Sequence, residues 1–227
     1  MQPKTGTMKV KGCAYCGGLL TKRSENHRDH VFPDCLYESA DPYSRIQRLT
    51  VDCCRKCNSS WQDDEVQFRN MIVSAGDPPT TQRRALWDSS IHRSFEGVDG
   101  LRRMDDLLAQ MKPVEIDGKL RHKVYLGKDE RVMRVVRKII RGLSHHHKIK
   151  TAVPDQFVWA DFLRYQIPGG INEEMHCCHR DPNIVEYRYQ EINADGISSV
   201  WVITFFKTVS FIGNVSVGER NIALHVA

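Results

Sequence analysis

The sequence predicts an α+β protein made of three stretches. The first, residues 1–75, is rich in Cys and His and carries two Cys-x-x-Cys pairs, "CAYC" at 13–16 and "CRKC" at 54–57. The second, residues 76–150, is basic and mainly helical, and ends in an apolar stripe over 132–143 flanked by Lys and Arg. The third, residues 151–227, holds β-branched and aromatic runs separated by the turn "NADG", which is the pattern of antiparallel sheet.

A chain of 227 residues can build one substantial core or two small ones. Its 41% apolar and 27% charged content is that of an ordinary globular protein, which excludes wholesale disorder. The longest apolar run, "VWVITFF" at 200–206, falls far short of the ~20 residues of a membrane span. The N-terminus, "MQPKTGTMKVKG", lacks the apolar stretch of a secretory signal, so a cytoplasmic protein without a membrane partner is expected. In that setting eight cysteines read as metal ligands or free thiols, not as a disulfide frame. Charge is unevenly spread. Lys/Arg against Asp/Glu run 11 to 9 over 1–75, 17 to 10 over 76–150 and 5 to 9 over 151–227. A basic middle suits a polyanionic partner.

Taken in order, residues 1–12 form a loose lead-in. Trp61, Phe68 and Ile72 stand at helical spacing in "WQDDEVQFRNMIV" (61–73), after the cap-like Asn58-Ser59-Ser60. "AGDPPTT" (75–81) breaks that helix. Residues 81–112 read as one or two short helices interrupted at "GVDG", and "VEIDGKLRHKVYL" (114–126) as a hairpin about its Asp-Gly turn. Val132, Val135, Val136, Ile139, Ile140 and Leu143 make one stripe, with Arg131, Arg134, Arg137, Lys138 and Arg141 on the rest of that helix. Those basic residues are either the outer face of a packed helix or a track for a DNA backbone.

Cys13, Cys16, Cys54 and Cys57 supply two knuckles separated by 37 residues, enough for a closed tetrahedral zinc site. Such a site supplies folding energy to a region of about 60 residues that has few large apolar side chains. Four cysteines leave no open position, so this zinc is structural. Any chemistry falls to the groups it holds in place, foremost the Asp29-His30 pair.

The ordered pattern "CAYC … DHVFP … CRKCN" resembles the zinc-bound HNH endonucleases, the ββα-metal nucleases, over residues 13–75. That resemblance implies a zinc-stapled ββα-metal nuclease module, which the helical segment and the C-terminal antiparallel β-rich domain of unassigned role, both read from sequence pattern, then follow. It implies His30 as the general base that takes a proton from the attacking water. It implies Asp29 and Asn58 as ligands of a catalytic divalent cation, Mg²⁺ or similar, and the four cysteines as structural Zn²⁺ ligands. The middle motif residue, usually Asn, finds its best match in Gln47, which has the same amide on a longer stem. The expected activity is hydrolysis of DNA phosphodiester bonds, one strand per engagement, with a homodimer or a second visit needed to cut both strands. A zinc-framed nucleic-acid-binding protein with a weakened site, and an RNA-directed or toxin-like nuclease, are the alternatives.

Around this frame, Arg55 and Lys56 lie where backbone phosphates would pass. His27 is either a phosphate or metal contact or an exposed turn residue. Asp63, Asp64 and Glu65 read either as first-turn acids complementing a helix N-terminus or as residues that reach the metal. "HHH" at 145–147 suits a helix C-terminus, and adjacent residues of "HCCH" at 176–179 point to opposite faces if extended.

Overall fold

The computed structural model describes residues 11–20, 26–37, 48–75, 80–124, 129–165, 167, 169–181 and 183–216. Gln47 lies outside them. Two short strands, β1 (Asn26–His30) and β2 (Thr50–Cys54), pair antiparallel with Asp29 opposite Val51 and His30 opposite Thr50. Helix α1 (Arg55–Ser59) follows directly, with Cys54 as its extended N-cap residue. Helix α2 (Gln62–Ser74) begins one residue inside the predicted span and carries Asp63, Asp64 and Glu65 in its first turn.

The middle segment begins with α3 (Thr81–Leu86), where the Thr80 hydroxyl accepts a 3.3 Å bond from the Arg83 amide. A π-helical turn over Trp87–Ile91 leads to α4 (His92–Glu96), and α5 (Gly100–Ala109) resumes after the predicted break. Strands β3 (Met111–Ile116) and β4 (Lys119–Val124) form the expected hairpin. Asp117 (φ 52°) and Gly118 (φ 69°) both take the left-handed backbone that a tight two-residue turn demands.

Helix α6 (Glu130–His146) is the axle of the fold. Its stripe is buried throughout, from Val132 to Leu143. It packs between α2 and a five-stranded antiparallel sheet of β5 (Val158–Phe162), β6 (His176–Asp181), β7 (Val185–Ala194), β8 (Ile197–Phe205) and β9 (Val209–Ser216), in spatial order β5-β9-β8-β7-β6. A short helix, α7 (Gly169–Glu174), precedes β6. One hydrophobic cluster draws on all three stretches of sequence. Phe68 of α2 sits 5.2 Å from Phe205 and 6.0 Å from Phe211, and Phe32 lies 5.8 Å from Tyr187. Each such buried ring contributes roughly 1.5–3 kcal/mol. The two cysteine knuckles are thereby fastened to the sheet through α6.

The basic side of α6 turns inward. Arg131 reaches Asp129 and Asp106, Arg134 reaches Asp64, Arg137 reaches Glu130 and Asp155, and Arg141 bonds the carbonyls of Tyr15 and Val153. The helix is packed, and these charges are paired within the chain. The "HHH" run closes its C-terminus, where His145 meets the Thr151 carbonyl and His147 Nε2 lies 2.9 Å from the Tyr187 hydroxyl. Among the described residues no helix is long and apolar enough to cross a membrane.

Candidate metal centre and the adjoining Asp-His strand

The first knuckle is built by backbone geometry. The Cys13 amide donates to the Gly18 carbonyl (2.8 Å) and the Gly17 amide to the Cys13 carbonyl (2.9 Å), with Gly17 at φ +72°. An L-residue at that φ would be strained, which is the reason for glycine behind the pair. Two links moor this loop to β2, a 2.9 Å bond from the Ala14 amide to the Asp52 carbonyl and a 2.7 Å ion pair of Lys11 with Asp52. Cys54 ends β2 and Cys57 lies in α1, so strand and helix deliver the second knuckle.

The four sulfurs of Cys13, Cys16, Cys54 and Cys57 all lie within 4.8 Å of one another, and the Cys16 and Cys54 sulfurs are 3.9 Å apart. A tetrahedron with metal–sulfur bonds of ~2.3 Å needs sulfurs ~3.8 Å apart, so the cluster can hold a zinc ion. Burial raises the Cys16 and Cys57 thiols and acts the same way on Cys13, but backbone amides around Cys13 overcome it and bring that thiol down to about 7. Burial and neighbouring thiols hold Cys57 well above its ordinary value. Zinc binding therefore displaces protons as it closes the site.

Asp29 lies beneath this frame, 8% exposed. Its Oδ2 accepts a 2.5 Å bond from the Tyr15 hydroxyl and stands 2.9 Å from the Lys138 ammonium. Tyr15 is the residue inside the first knuckle, so zinc frame and carboxylate are one hydrogen bond apart. Lys138, wholly buried, also reaches Glu65 Oε1 (2.6 Å) and the His30 carbonyl (2.7 Å). Burial raises the Glu65 carboxyl, and the Lys138 charge opposes that rise. Glu65 thus reaches the site, through Lys138. Asp64 is directed instead to Arg134, 2.5 Å away.

His30 projects from the other face of β1 and is half-exposed. Its Nδ1 is 3.6 Å from Asp34 Oδ1, and Asp34 is itself paired with Arg48. Burial first, and then the Arg48 charge, hold the imidazole below its ordinary pKa. The ring is accordingly neutral at pH 7 and able to accept a proton.

Asn58 sits on α1, where its Oδ1 accepts a 3.8 Å bond from the Cys53 thiol. Burial and the Asp29 charge push that thiol up to about 12. His27 shares the Asp29 face of β1, opposite Cys53, and its buried Nε2 has no hydrogen-bond partner among the described residues. Arg55 and Lys56 are exposed on α1.

The pieces that sequence reasoning missed are Tyr15 and Lys138. Tyr15 could have been marked as a large aromatic locked between two ligands. Lys138 borders the apolar stripe of α6, and helical position alone does not separate a basic residue at the rim from one at a site. Comparison with protein-family models, characterised proteins and solved structures finds no match to this chain.

Proposed function

We propose that the chain is a metal-dependent endonuclease of the HNH type that hydrolyses DNA phosphodiester bonds. The observation that carries this reading is the juncture of β1, β2 and α1 beside the four-cysteine cluster. Asp29 and the half-exposed, neutral His30 end β1 there, and Cys53 of β2 meets Asn58 of α1. Asp29 commits only Oδ2 to Tyr15 and Lys138 among the described residues, leaving Oδ1 for a cation. The Asn58 amide oxygen and the His27 nitrogen, which has no partner among the described residues, would be further donors of a kind that suits a divalent ion.

Asp29 and Asn58 would hold that ion, which supplies charge stabilisation at the leaving sugar oxygen. His30 takes a proton from the attacking water, a role suited to an imidazole neutral at pH 7 and open to solvent. Asp34, held by Arg48, stands on the Nδ1 side of the ring and keeps Nε2 for the water. Arg55 and Lys56, exposed one turn from Asn58, contact neighbouring phosphates.

One observation favours a second reading. The Lys138 ammonium already neutralises much of the Asp29 charge, as a zinc-framed nucleic-acid-binding protein with a weakened site would have it. A nicking assay separates the two. Zinc-loaded protein is incubated with supercoiled plasmid and a panel of divalent ions, with labelled RNA run alongside. Ion-dependent conversion to open circles, reduced at least ~100-fold in His30→Ala with DNA retention unchanged, supports the nuclease. No ion-dependent cleavage of DNA by the unaltered protein defeats it, and preferential cleavage of RNA reassigns the substrate.

A further inference from the structure

The sheet has a second face, turned away from α6 and the zinc frame, and it carries a cleft of about 500 Å³. Strand alternation explains what lines its floor. Glu186, Thr204 and Ser210 form one row across β7, β8 and β9, and Arg188 with Val202 forms the next. The Thr204 and Ser210 hydroxyls are 2.9 Å apart. Arg164 and Tyr165, just beyond β5, make one wall, and Lys207 at the β8–β9 turn makes the other.

Two features set this cleft apart from an ordinary polar surface. Residues 151–227 are acidic overall and hold only five Lys/Arg, yet three of them, Arg164, Arg188 and Lys207, line this one depression against the single carboxylate Glu186. Moreover, the turn that presents Lys207 is strained. Phe206 (φ 50°) and Lys207 (φ 62°) both occupy left-handed backbone, where Asn-Gly would be at ease. The buried Phe206 ring anchors the turn and the exposed Lys207 side chain serves no packing purpose. Beside it the buried Thr208 hydroxyl has no partner among the described residues. Tyr165, 70% exposed, offers an uncovered aromatic face at the rim.

We propose that this cleft binds a nucleoside phosphate, with Arg164, Arg188 and Lys207 on the phosphate and Tyr165 stacked on the base. The ligand is either a free nucleotide or the phosphorylated end of a nucleic acid strand. Guanidinium groups and an ammonium match phosphate oxygens, hydroxyls complete the donor set, and base–aromatic stacking accepts any base. The volume suits one nucleotide. The proposal stands apart from the endonuclease reading, since none of these residues belongs to the Asp29–His30 site.

Calorimetric titration of the zinc-loaded full chain, without added divalent ion, tests it. The probes are AMP, inorganic phosphate, and a tetranucleotide with a 5′-phosphate or a 5′-hydroxyl. AMP or the 5′-phosphorylated strand should bind with Kd between about 10 µM and 1 mM, and inorganic phosphate at least about ten-fold more weakly. Whichever of the two binds identifies the source. Lys207→Gly relieves the strained backbone, so it should raise Tm by about 1–3 °C while weakening binding about ten-fold. Tyr165→Ala should lose about ten-fold for AMP and nothing for phosphate. The proposal is overturned if no probe binds at millimolar concentration, if phosphate binds as tightly as AMP, or if Lys207→Gly binds as the unaltered protein does.

Discussion

The Lys138 ammonium lies 2.9 Å from Oδ2 of Asp29, at a point where Lys138 has no solvent exposure at all. Two carboxylates, Asp29 and Glu65, converge on this one cation from β1 and α2, and the His30 carbonyl completes its hydrogen bonds. A helix from the middle of the chain is therefore part of the site that the first 75 residues seem to build alone. Asp29 meets any incoming cation with its charge already partly offset. On the proposed endonuclease reading, Lys138 would set how strongly a divalent ion is held there.

Removing Lys138 should unfold the juncture more than it frees it. Lys138→Met takes the cation from buried Asp29, which keeps only its Tyr15 bond, and from partly buried Glu65, at a cost of about 3–5 kcal/mol. The double variant Lys138→Met/Glu65→Gln should recover part of that loss. Urea denaturation followed by tryptophan fluorescence measures both. A midpoint unchanged in the single variant would show that the ion pair contributes nothing net.

Zinc should be stoichiometric and needed for the fold of the first segment. One zinc per chain is expected by elemental analysis, and Cys57→Ser should lose it. Chelation should release the two cysteine knuckles with β1 and β2 from protection in hydrogen exchange before the five-stranded sheet, because the sheet has ring pairs of its own, Tyr189–Trp201 and Phe205–Phe211. Full zinc occupancy in Cys57→Ser would remove that cysteine from the ligand set.

The four thiols, the α6 stripe and the Asp-Gly hairpin were legible because each is a local pattern of spacing or turn chemistry. The partners of the α6 basic residues were not. Arg134 finds Asp64 seventy positions away and Arg141 finds the Tyr15 carbonyl 126 positions away, so no window of sequence contains both ends. Their alternation with apolar positions matched a solvated face equally well. The Asp29-His30 pair was legible as a motif, but its neighbours Tyr15 and Lys138 are set by tertiary packing. Strand β5 has no alternation to read, because every residue after the buried Val158 is partly buried.

Gly213 should not tolerate a methyl group. A Cβ there would stand 2.5 Å from the Ile140 side chain and 2.6 Å from the Trp159 carbonyl oxygen, which the β5–β9 ladder holds in place. Gly213→Ala must push α6 or β5 outward, costing about 1–3 kcal/mol. A fall in the urea midpoint of that size is expected, and no fall would mean that α6 and the sheet are less tightly apposed than described.

Asp129 should make stability depend on pH in the acid range. Its side chain caps α6 through a 3.0 Å bond from the Arg131 amide, accepts 3.0 Å bonds from the Arg131 guanidinium and the Gln67 amide, and is buried. Burial would raise its pKa, but the hydrogen bonds from Arg131 and Gln67 outweigh burial and hold it below the ordinary 3.8. The unfolded chain therefore binds this proton at higher pH than the folded one does. The stabilisation is present in full above about pH 5, declines as pH falls through 3.8, and is gone below the folded-state pKa. Asp129→Ala should cost about 1–3 kcal/mol at pH 7 through the lost cap and the unpaired Gln67 and Arg131 groups. The difference between variant and unaltered protein should shrink on acidification between pH 5 and pH 3, followed by urea denaturation at each pH. A difference that stays constant over that range would mean that Asp129 acts through packing alone.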